Sequence, residues 1–335
     1  MNKSEKILVT GGAGFIGSHV ADELLKMGHS VVVLDDLSGG FESNISPGIL
    51  FINGSITDAT LVEKLFAEHK FSYVYHLAAY AAEGLSHFIR KFNYENNLMG
   101  SVNLINASIK YGVKCFVFTS SMAVYGHGKP PFSEDMIPSP CDPYGVAKYA
   151  IELDLKAANE MFGMDYVIFR PHNVYGPRQN IGDKYRNVIG IFMNKIMKDE
   201  PVTIYGDGEQ SRAFSYIDDV APIIAHSVEN KSFYSQIINV GGDVPCTINQ
   251  MTDELEKANG KPIQRKHLET RNEVKHAYST HDKLNRLLSN RPKRILLSEG
   301  LKKMFDWARK VGVQSSKEFE NIEITKKLPS FWIQK

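Results

Sequence analysis

The sequence predicts an α/β protein built on a doubly wound parallel sheet, followed by a smaller α/β domain. Apolar strand segments alternate with amphipathic helix segments through the first half of the chain. The strand segments are apolar along their whole length, which is typical of a parallel sheet covered by helices on both faces. The first of them, residues 7–10, runs directly into a glycine-rich turn.

The glycine-rich turn predicts a binding site for a dinucleotide. Gly11, Gly14 and Gly17 separate the first strand from a predicted helix over residues 18–27. Glycines at this spacing allow a tight turn, close approach of the backbone to a pyrophosphate, and close packing of helix on strand. The free N–H groups of the helix then face the phosphate charge. Because ordinary strand-to-helix turns also contain glycines, this motif alone is a weak signal.

The second strand strengthens the interpretation and selects the cofactor. Residues 30–34 are apolar and end at Asp35. A carboxylate about twenty residues after the glycines can accept hydrogen bonds from the adenosine ribose hydroxyls. Asp35 would repel a 2′-phosphate, and no arginine follows directly to receive one. The sequence therefore predicts NAD rather than NADP.

The remaining elements complete a predicted Rossmann domain. Predicted strands cover residues 50–52, 73–77, 115–119 and 166–170, and predicted helices cover 58–69, 96–111 and 144–162. This alternation predicts an NAD-binding domain over residues 1–173, to which the chain returns at about 215–250. Loops rich in Gly, Asn and Arg follow residue 173, so we expect the substrate-binding domain over 174–214 and 251–330. The charged tail after about residue 310 has no interpretable pattern.

Composition excludes several functional classes. The formal charge of +1 gives no general attraction to nucleic acid or to membranes. Cys115, Cys141 and Cys246 are too few and too scattered for a disulfide framework or a metal cluster, so we expect no metal site and a reducing compartment. The polar N-terminus is not typical of a signal peptide, and no apolar run reaches membrane-spanning length. The sequence therefore predicts a cytoplasmic protein.

A serine, a tyrosine and a lysine are predicted to meet at the sheet edge. Tyr144 and Lys148 lie four residues apart at the start of a helix, after Asp142 as N-cap and Pro143 as first helical residue. The ammonium and the helix N-terminus favour the phenolate, which predicts a lowered pKa for Tyr144 and a role as general base. Most such pairs are a half-buried tyrosine beside a solvated lysine, but here Ser121 follows the strand that ends nearby.

The ordered set of motifs resembles the extended short-chain dehydrogenases/reductases. It is most similar to the nucleotide-sugar epimerase/dehydratase group and, within it, to the UDP-glucose (UDP-galactose) 4-epimerases. The matching segments are residues 11–17, 76–79, 96–97, 119–126, 144–148, 170–177, 205–208 and 212–220, and the resemblance extends from about residue 6 to about 297. It implies tightly bound NAD, a UDP-sugar substrate and a homodimer.

The resemblance also implies individual binding residues. The catalytic residues are Ser121, Tyr144 and Lys148. The expected NAD contacts are Gly11, Gly14, Phe15, Ile16, Gly17, Asp35, Asp36, Ser38, Ser55, Ile56, Leu77, Ala78, Ala79, Asn97, Tyr144, Lys148 and Pro171. The expected substrate contacts are Ser121, Asn173, Arg186, Asn187, Val188, Thr203, Tyr205, Arg212, Arg271 and Glu273. His76 is expected to be structural.

Departures from the family pattern bear on the reaction and on the sugar. Dehydratases of this group carry Asp-Glu where this chain has Met122-Ala123, so dehydration is disfavoured. Ser55 stands where many relatives have an acidic residue, which weakens or moves one adenine contact. Ala277 falls where a bulky residue excludes N-acetylated sugars, and Arg186 is a candidate partner for a C6 carboxylate.

The predicted reaction is therefore NAD-dependent 4-epimerisation of a UDP-hexose of the glucose/galactose type, through a transient 4-keto sugar. UDP-glucuronate and UDP-N-acetylglucosamine remain alternative substrates. A nucleotide-sugar dehydratase, a net NAD-dependent oxidoreductase and a non-catalytic NAD-binding regulator are less favoured, because a regulator needs none of the three catalytic residues.

A homodimer is also indicated by the predicted helix 144–162. It has two apolar stripes, residues 147/151/155/158/162 and 150/153/157/161. One stripe can cover the sheet and the other needs a further partner. Together with the apolar residues of helix 96–111, this predicts a two-fold contact of four helices.

Overall fold

A computed structural model describes residues 4–270, 274–288, 294–315, 319–329 and 332. Its helices and strands are, in chain order, β1 (Lys6–Thr10), α1 (Phe15–Lys26), β2 (Ser30–Asp35), β3 (Leu50–Asn53), α2 (Ala59–His69), β4 (Tyr73–His76), α3 (Glu83–Ser86), α4 (Arg90–Tyr94), α5 (Gly100–Lys110), β5 (Cys115–Thr119), α6 (Pro143–Phe162), β6 (Asp165–Pro171), β7 (Val174–Tyr175), α7 (Val188–Met197), β8 (Val202–Tyr205), β9 (Ser211–Ala213), β10 (Ser215–Tyr216), α8 (Ala221–Ala225), β11 (Gln236–Val240), β12 (Pro245–Thr247), α9 (Ile248–Asn259), β13 (Arg265–Leu268), β14 (His276–Ala277), α10 (Asp282–Leu287) and α11 (Leu297–Val311).

The main sheet has seven parallel strands in the order β11-β6-β5-β4-β1-β2-β3. The predicted doubly wound parallel sheet is thus confirmed. The strand order reverses between β1 and β4, and ligands of such sheets bind at the carboxyl ends of the strands beside this point. The fold therefore places a binding site after β1, β4 and β5.

Alternate residues of each strand belong to different cores, one on each face of the sheet. Ile7 and Val9 of β1 share a core with α1, α8 and α11. Leu8, between them, belongs to a second core with α2, α5 and α6. The helices therefore cover both faces, and the continuous apolar strands follow from that burial.

Smaller sheets lie beyond β6. They pair β7 with β10, β8 with β13, and β9 with both β12 and β14. Between them the chain returns to the main sheet, where β11 pairs in parallel with β6. Within the described parts of the chain, no helix is long and apolar enough to cross a membrane.

Two predicted helices differ from the observed ones. The helix predicted from residue 18 begins at Phe15, because Gly14 rather than Gly17 precedes its first turn. The helix predicted over 96–111 is divided, with a π-helical turn at Glu95–Met99 before α5. By contrast, the predicted start of α6 is confirmed, since the Asp142 side chain accepts a hydrogen bond from Gly145 N at 2.9 Å and Pro143 follows it.

Candidate active site

One cleft of about 1750 Å³ opens at the carboxyl edge of the main sheet. Its walls are the glycine-rich turn, the ends of β2, β4 and β5, the first turns of α6 and α7, and β8. The predicted site residues that line it are Gly11, Gly14, Phe15, Ile16, Gly17, Asp35, Asp36, Ser38, Ile56, Leu77, Ala78, Ala79, Ser121, Tyr144, Lys148, Pro171, Asn173, Arg186, Asn187, Val188, Thr203, Tyr205 and Arg212. Cofactor and substrate residues that were predicted from distant segments of the chain thus line the same cleft.

The glycine-rich turn leaves room and free donors for a pyrophosphate. Gly11 has a φ of +72°, and a Cβ there would lie 2.6 Å from Ala78 N. A Cβ on Gly17 would lie 2.1 Å from Gly11 O, so α1 packs closely on the turn. Gly14 borders the cleft and has no side chain to bond the first N–H groups of α1. An anion in the cleft can therefore take these hydrogen bonds.

Asp35 organises the far wall of the cleft. Its Oδ2 accepts a hydrogen bond from Ala13 N at 3.0 Å, and its Oδ1 accepts one from Leu37 N at 2.8 Å. Burial raises the pKa of Asp35, and the neighbouring Asp36 raises it further, while the backbone donors act in the opposite direction. Each carboxylate oxygen can accept a second hydrogen bond. Asp35 can thus hold the glycine turn and still receive ribose hydroxyls.

Two predicted cofactor contacts, Ser55 and Asn97, are not among the described residues that line the cleft. The Ser55 hydroxyl lies 2.9 Å from the Thr57 hydroxyl. Asn97 is buried in the π-helical turn, where its amide bonds both the N–H and the carbonyl of Tyr80, at 2.8 and 3.1 Å. Its neighbour Asn96 lines the cleft instead. Asn97 therefore supports the wall from behind rather than forming its surface.

Tyr144 is buried in the first turn of α6, where its backbone N–H donates to Ser86 Oγ at 3.3 Å. Burial raises the pKa of Tyr144 well above its ordinary value, and the carboxylate of Glu83 adds to the rise. A hydrogen bond with Ser121 lowers this pKa but does not outweigh burial. The prediction of a lowered Tyr144 pKa was wrong, because it neglected the desolvation of the phenolate.

Lys148 is equally buried and points to the end of β5. Its Nζ donates to Thr119 O at 2.7 Å and lies 5.8 Å from the centre of the Tyr144 ring. Burial lowers the pKa of Lys148 to about 7, while Glu152 opposes the change. Near neutral pH Lys148 can therefore gain or lose a proton, whereas the buried Tyr144 phenol keeps its proton in the protein alone.

A buried ion pair, absent from the sequence predictions, supports these residues from below. Glu152 receives hydrogen bonds from Arg170 Nε at 2.9 Å, from Arg170 Nη2 at 2.5 Å and from Ser120 Oγ at 2.5 Å. The Arg170 guanidinium also lies 4.7 Å from the centre of the Tyr125 ring. Ser120 directly precedes Ser121, so Glu152 ties α6 to the ends of β5 and β6. Glu152 lies four residues after Lys148 on the same helix face, and this spacing could have identified it from the sequence.

The predicted substrate side of the cleft contains two asparagines with positive φ and two cationic side chains. Asn173 and Asn187 have φ values of 42° and 63°, and Asn187 precedes the first turn of α7. The Arg212 guanidinium donates to the carbonyl oxygens of Ser211, Val274 and Lys275. Lys195, which the sequence predictions missed, lines the same wall and donates from Nζ to Thr203 Oγ1 at 2.8 Å. The predicted contacts Arg271 and Glu273 lie outside the described residues.

The charge of Arg186 is already compensated within the protein. Its Nε donates to Asp183 Oδ2 at 2.7 Å, and its Nη2 lies 2.5 Å from the same oxygen. The guanidinium lies 4.9 Å from the centre of the Tyr80 ring. A substrate carboxylate would have to compete with Asp183 for this cation. Arg186 is therefore a weaker carboxylate receptor than the sequence suggested.

Four further residues have surroundings that bear on the chemistry. Met122 and Ala123 line the cleft beside Ser121 and have no titratable group. Ala277 is buried against the apolar cluster around Met122 and also lines the cleft. The His76 ring is hydrogen-bonded to the hydroxyls of Thr10 and Ser101, both at 2.7 Å, and it is fully buried. These contacts agree with a structural role for His76.

Comparison with known proteins gives one family. Residues 7–241 match the model described as "NAD dependent epimerase/dehydratase family". The chain is similar to a UDP-glucose 4-epimerase structure from Thermotoga maritima with UDP-glucose, with 37% identity and a TM-score of 0.87 over 91% of this chain and 99% of that one.

Two further structures are similar over comparable lengths. A Methanobrevibacter ruminantium UDP-N-acetylglucosamine 4-epimerase, in complex with UDP-N-acetylmuramic acid, gives 34% identity and a TM-score of 0.86 over 92% of this chain and 100% of that one. A Bacillus cereus UDP-glucuronic acid 4-epimerase, with UDP-glucuronic acid and NAD, gives 31% identity and a TM-score of 0.84 over the same shares. These three proteins differ in the sugar that they act on.

Proposed function

The chain belongs to the NAD dependent epimerase/dehydratase family, and from this premise we propose that it is a UDP-sugar 4-epimerase acting on the UDP-glucose/UDP-galactose pair. The observation that carries the proposal is the convergence of Ser121, Tyr144 and Lys148 with the glycine-rich turn in one cleft. A dinucleotide site beside a buried acid–base pair suits reversible oxidation of a sugar alcohol.

The residues of the cleft fit the cofactor of the family, NAD. The free N–H groups after Gly14 would hold the pyrophosphate, and Asp35 would receive the adenosine ribose. Ile56 and Ser38 line the same cleft. NAD, when bound, supplies reversible two-electron oxidation at the sugar C4. We propose that it stays bound through the cycle.

In the proposed reaction Tyr144 transfers a proton, and Ser121 and Lys148 assist it. In its deprotonated form, the Tyr144 phenol oxygen takes the proton of the sugar 4-OH, and the Ser121 hydroxyl hydrogen-bonds the same sugar oxygen. Because burial raises the Tyr144 pKa, its deprotonated form depends on positive charge within the cleft. Lys148 supplies such a charge whenever its ammonium is protonated, and Thr119 O fixes its position.

The substrate is held by its nucleotide end. Asn173, the first turn of α7 after Asn187, and Arg212 would contact the diphosphate, which suits backbone N–H groups and guanidinium donors. This arrangement leaves the hexose free to turn over while C4 is a ketone, so either face of C4 could be presented to the cofactor with the C4 oxygen still within reach of Tyr144.

The surroundings of the sugar favour a neutral hexose. Pairing with Asp183 weakens Arg186 as a receptor for the C6 carboxylate of UDP-glucuronate. Met122 and Ala123 cannot transfer the protons that dehydration requires. Because the small Ala277 borders the cleft, UDP-N-acetylglucosamine is the second candidate substrate.

The test is a parallel incubation of the purified protein with UDP-glucose, UDP-N-acetylglucosamine and UDP-glucuronate, followed by separation of the products. We expect UDP-galactose from UDP-glucose, without accumulation of free NADH, and release of NAD when the protein is denatured. Conversion of none of the three sugars would contradict the proposal. Stoichiometric NADH release would instead identify a net oxidoreductase.

A further inference from the structure

The C-terminal segment, defined here as the described residues 319–329 and 332, forms part of the cleft wall. Ile324, Lys326, Lys327, Pro329 and Trp332 all line the cleft. They share it with the residues of α3 and with the first turn of α6, which contains Tyr144. The segment thus belongs to the wall of the same cleft as Tyr144.

Specific hydrogen bonds fix the segment to the start of α4. The Glu323 carboxylate accepts hydrogen bonds from Lys91 N and Phe92 N, both at 2.8 Å. The backbone N–H groups of Glu323 and Ile324 both donate to Phe88 O, at 2.8 and 3.1 Å. A carboxylate that bonds the free N–H groups of a helix start defines one position for the chain. The segment therefore has a defined docking position on the protein.

Two aromatic side chains of the segment extend this contact toward the cleft. The Phe319 ring lies 5.4 Å from the Tyr80 ring and 4.9 Å from the Phe92 ring, measured between centroids. The Trp332 ring lies 5.4 Å from the ring of Tyr185, and Trp332 is only 7% exposed. The Phe319–Phe92 and Trp332–Tyr185 pairs are edge-to-face, and such pairs add to the stability gained by burial.

The partners of these rings belong to the catalytic half of the site. Tyr80 supports the Arg186 guanidinium, and Tyr185 directly precedes Arg186 in the chain. A Cβ on Gly84 of α3 would lie 3.4 Å from the Trp332 ring, and Ser86 of the same helix accepts the hydrogen bond from Tyr144 N. Trp332 therefore packs against both elements that border the expected sugar position.

The chain is also longer than the Thermotoga and Methanobrevibacter relatives. The Thermotoga and Methanobrevibacter structures are matched over 99% and 100% of their own length, yet the matches cover only 91% and 92% of this chain. This chain thus has additional residues for which those proteins have no counterpart.

We propose that the C-terminal segment is a specificity-determining wall of the sugar pocket, in which the Trp332 indole limits the size of the sugar substituents that enter. The inference rests on the proposed function, since it assigns the pocket to a UDP-sugar. A buried indole between α3 and Tyr185 excludes volume that a substituted hexose would need. Removing the Trp332 indole would open that volume, so the protein would discriminate less between sugars with small and large substituents.

The first test uses tryptophan fluorescence. The chain has two tryptophans, Trp307 and Trp332, and Trp307 lies on α11, among residues that do not line the cleft. In the Trp307→Phe protein the emission comes from Trp332 alone. We expect UDP-glucose to change this emission saturably, with the midpoint that calorimetry gives for binding. Binding by calorimetry without a change in Trp332 emission would overturn the inference.

The second test compares Trp332→Ala with the matched control Trp307→Ala. The ratio of kcat/KM for UDP-N-acetylglucosamine to that for UDP-glucose is expected to rise at least about five-fold in Trp332→Ala and to stay constant in Trp307→Ala. An unchanged ratio in an active Trp332→Ala enzyme rejects the inference alone. If the wild type binds and converts no UDP-sugar, the proposed function fails together with it. If Trp332→Ala does not fold, the fluorescence measurement decides.

Discussion

At the level of single residues, the site is a set of ionisable groups whose burial costs free energy. Tyr144 and Lys148 are both buried, and each has its pKa moved toward the neutral form, up for the phenol and down for the ammonium. The sequence predicted which residues meet, because their spacing places them on one helix face. It predicted the wrong direction for the shift of the Tyr144 pKa, since desolvation depends on every group that covers the phenol.

Replacing Tyr144 with Phe is expected to lower kcat for UDP-glucose epimerisation by roughly 10²–10⁴-fold, the range for loss of a general base. The ring still fills its buried position, so the binding of UDP-glucose, measured by calorimetry, should change little. Tyr149→Phe is the matched control, as Tyr149 lies on the same helix among residues that do not line the cleft. Wild-type turnover by Tyr144→Phe would refute the assigned base.

Lys148→Met is expected to reveal the cost of burying the ammonium. The pKa of Lys148 is lowered from 10.5 to about 7 by folding. Between these values the unfolded chain binds more protons than the folded one, so the contribution of Lys148 to stability rises with pH and is least favourable below pH 7. As the pH rises from about 7 to 10.5, the unfolding free energy of the variant minus that of the wild type should therefore fall by about 1.4 kcal/mol per pH unit.

Urea unfolding of both proteins at several pH values between 7 and 10 measures this difference. Groups other than Lys148 titrate in both proteins and cancel in the comparison. A difference that does not vary with pH would show that the ammonium titrates normally.

Glu152→Gln is expected to unfold more easily by roughly 3–5 kcal/mol, the cost of leaving a buried cation without its partner. In this protein the unpaired cation would be Arg170, which is buried with Glu152 in the ion pair. The double variant Glu152→Gln/Arg170→Met removes the unpaired charge and should recover much of the loss, as urea unfolding can measure. A double variant less stable than the single one would contradict this reasoning.

At the level of elements, the sequence predicted the strands of the NAD-binding half closely. Short apolar runs such as β1 and β5 are typical of buried strands in a covered sheet, and Asp142 and Pro143 define the start of α6. The short helices α3 and α4 went unpredicted, because they have no apolar period of their own. The C-terminal segment was missed because its aromatic residues are few and are buried by contact with distant parts of the chain, among them these helices.

The glycine-rich turn gives the element-level prediction. A Cβ on Gly17 would lie 2.1 Å from a backbone oxygen, so Gly17→Ala should force α1 away from the turn and cost at least about 1–3 kcal/mol. At Gly14 the closest heavy atom to a Cβ is Gly11 O at 3.1 Å, and Gly14 lines the cleft. Gly14→Ala should therefore keep the fold and bind less NAD.

Thermal unfolding and the NAD content of the purified proteins separate the two effects. We expect a lower Tm for Gly17→Ala, and for Gly14→Ala a near-normal Tm with reduced NAD. Full NAD content in Gly14→Ala would remove the pyrophosphate assignment of this turn.

At the level of the whole molecule, one face of α6 has no partner within the described chain. The stripe 147/151/155/158 is buried on the sheet, as one of the two predicted stripes should be. Phe162, assigned to the same stripe, is 61% exposed because it ends the helix. Leu153 and Met161 of the second stripe are 47% and 76% exposed. An apolar helix face of this kind is typical of a surface covered by another chain.

The homodimer therefore remains a prediction, with this face as its interface. Light scattering at micromolar concentration should give twice the chain mass of 37.6 kDa. Leu153→Glu/Met161→Glu should give the monomer, because two charges would be buried without partners at a two-fold contact. Val244→Glu is the matched control, since Val244 is 81% exposed but lies between β11 and β12, outside α5 and α6. The Val244→Glu protein should be dimeric if the interface is correctly placed. A monomeric wild type would show that the α6 face is exposed to solvent.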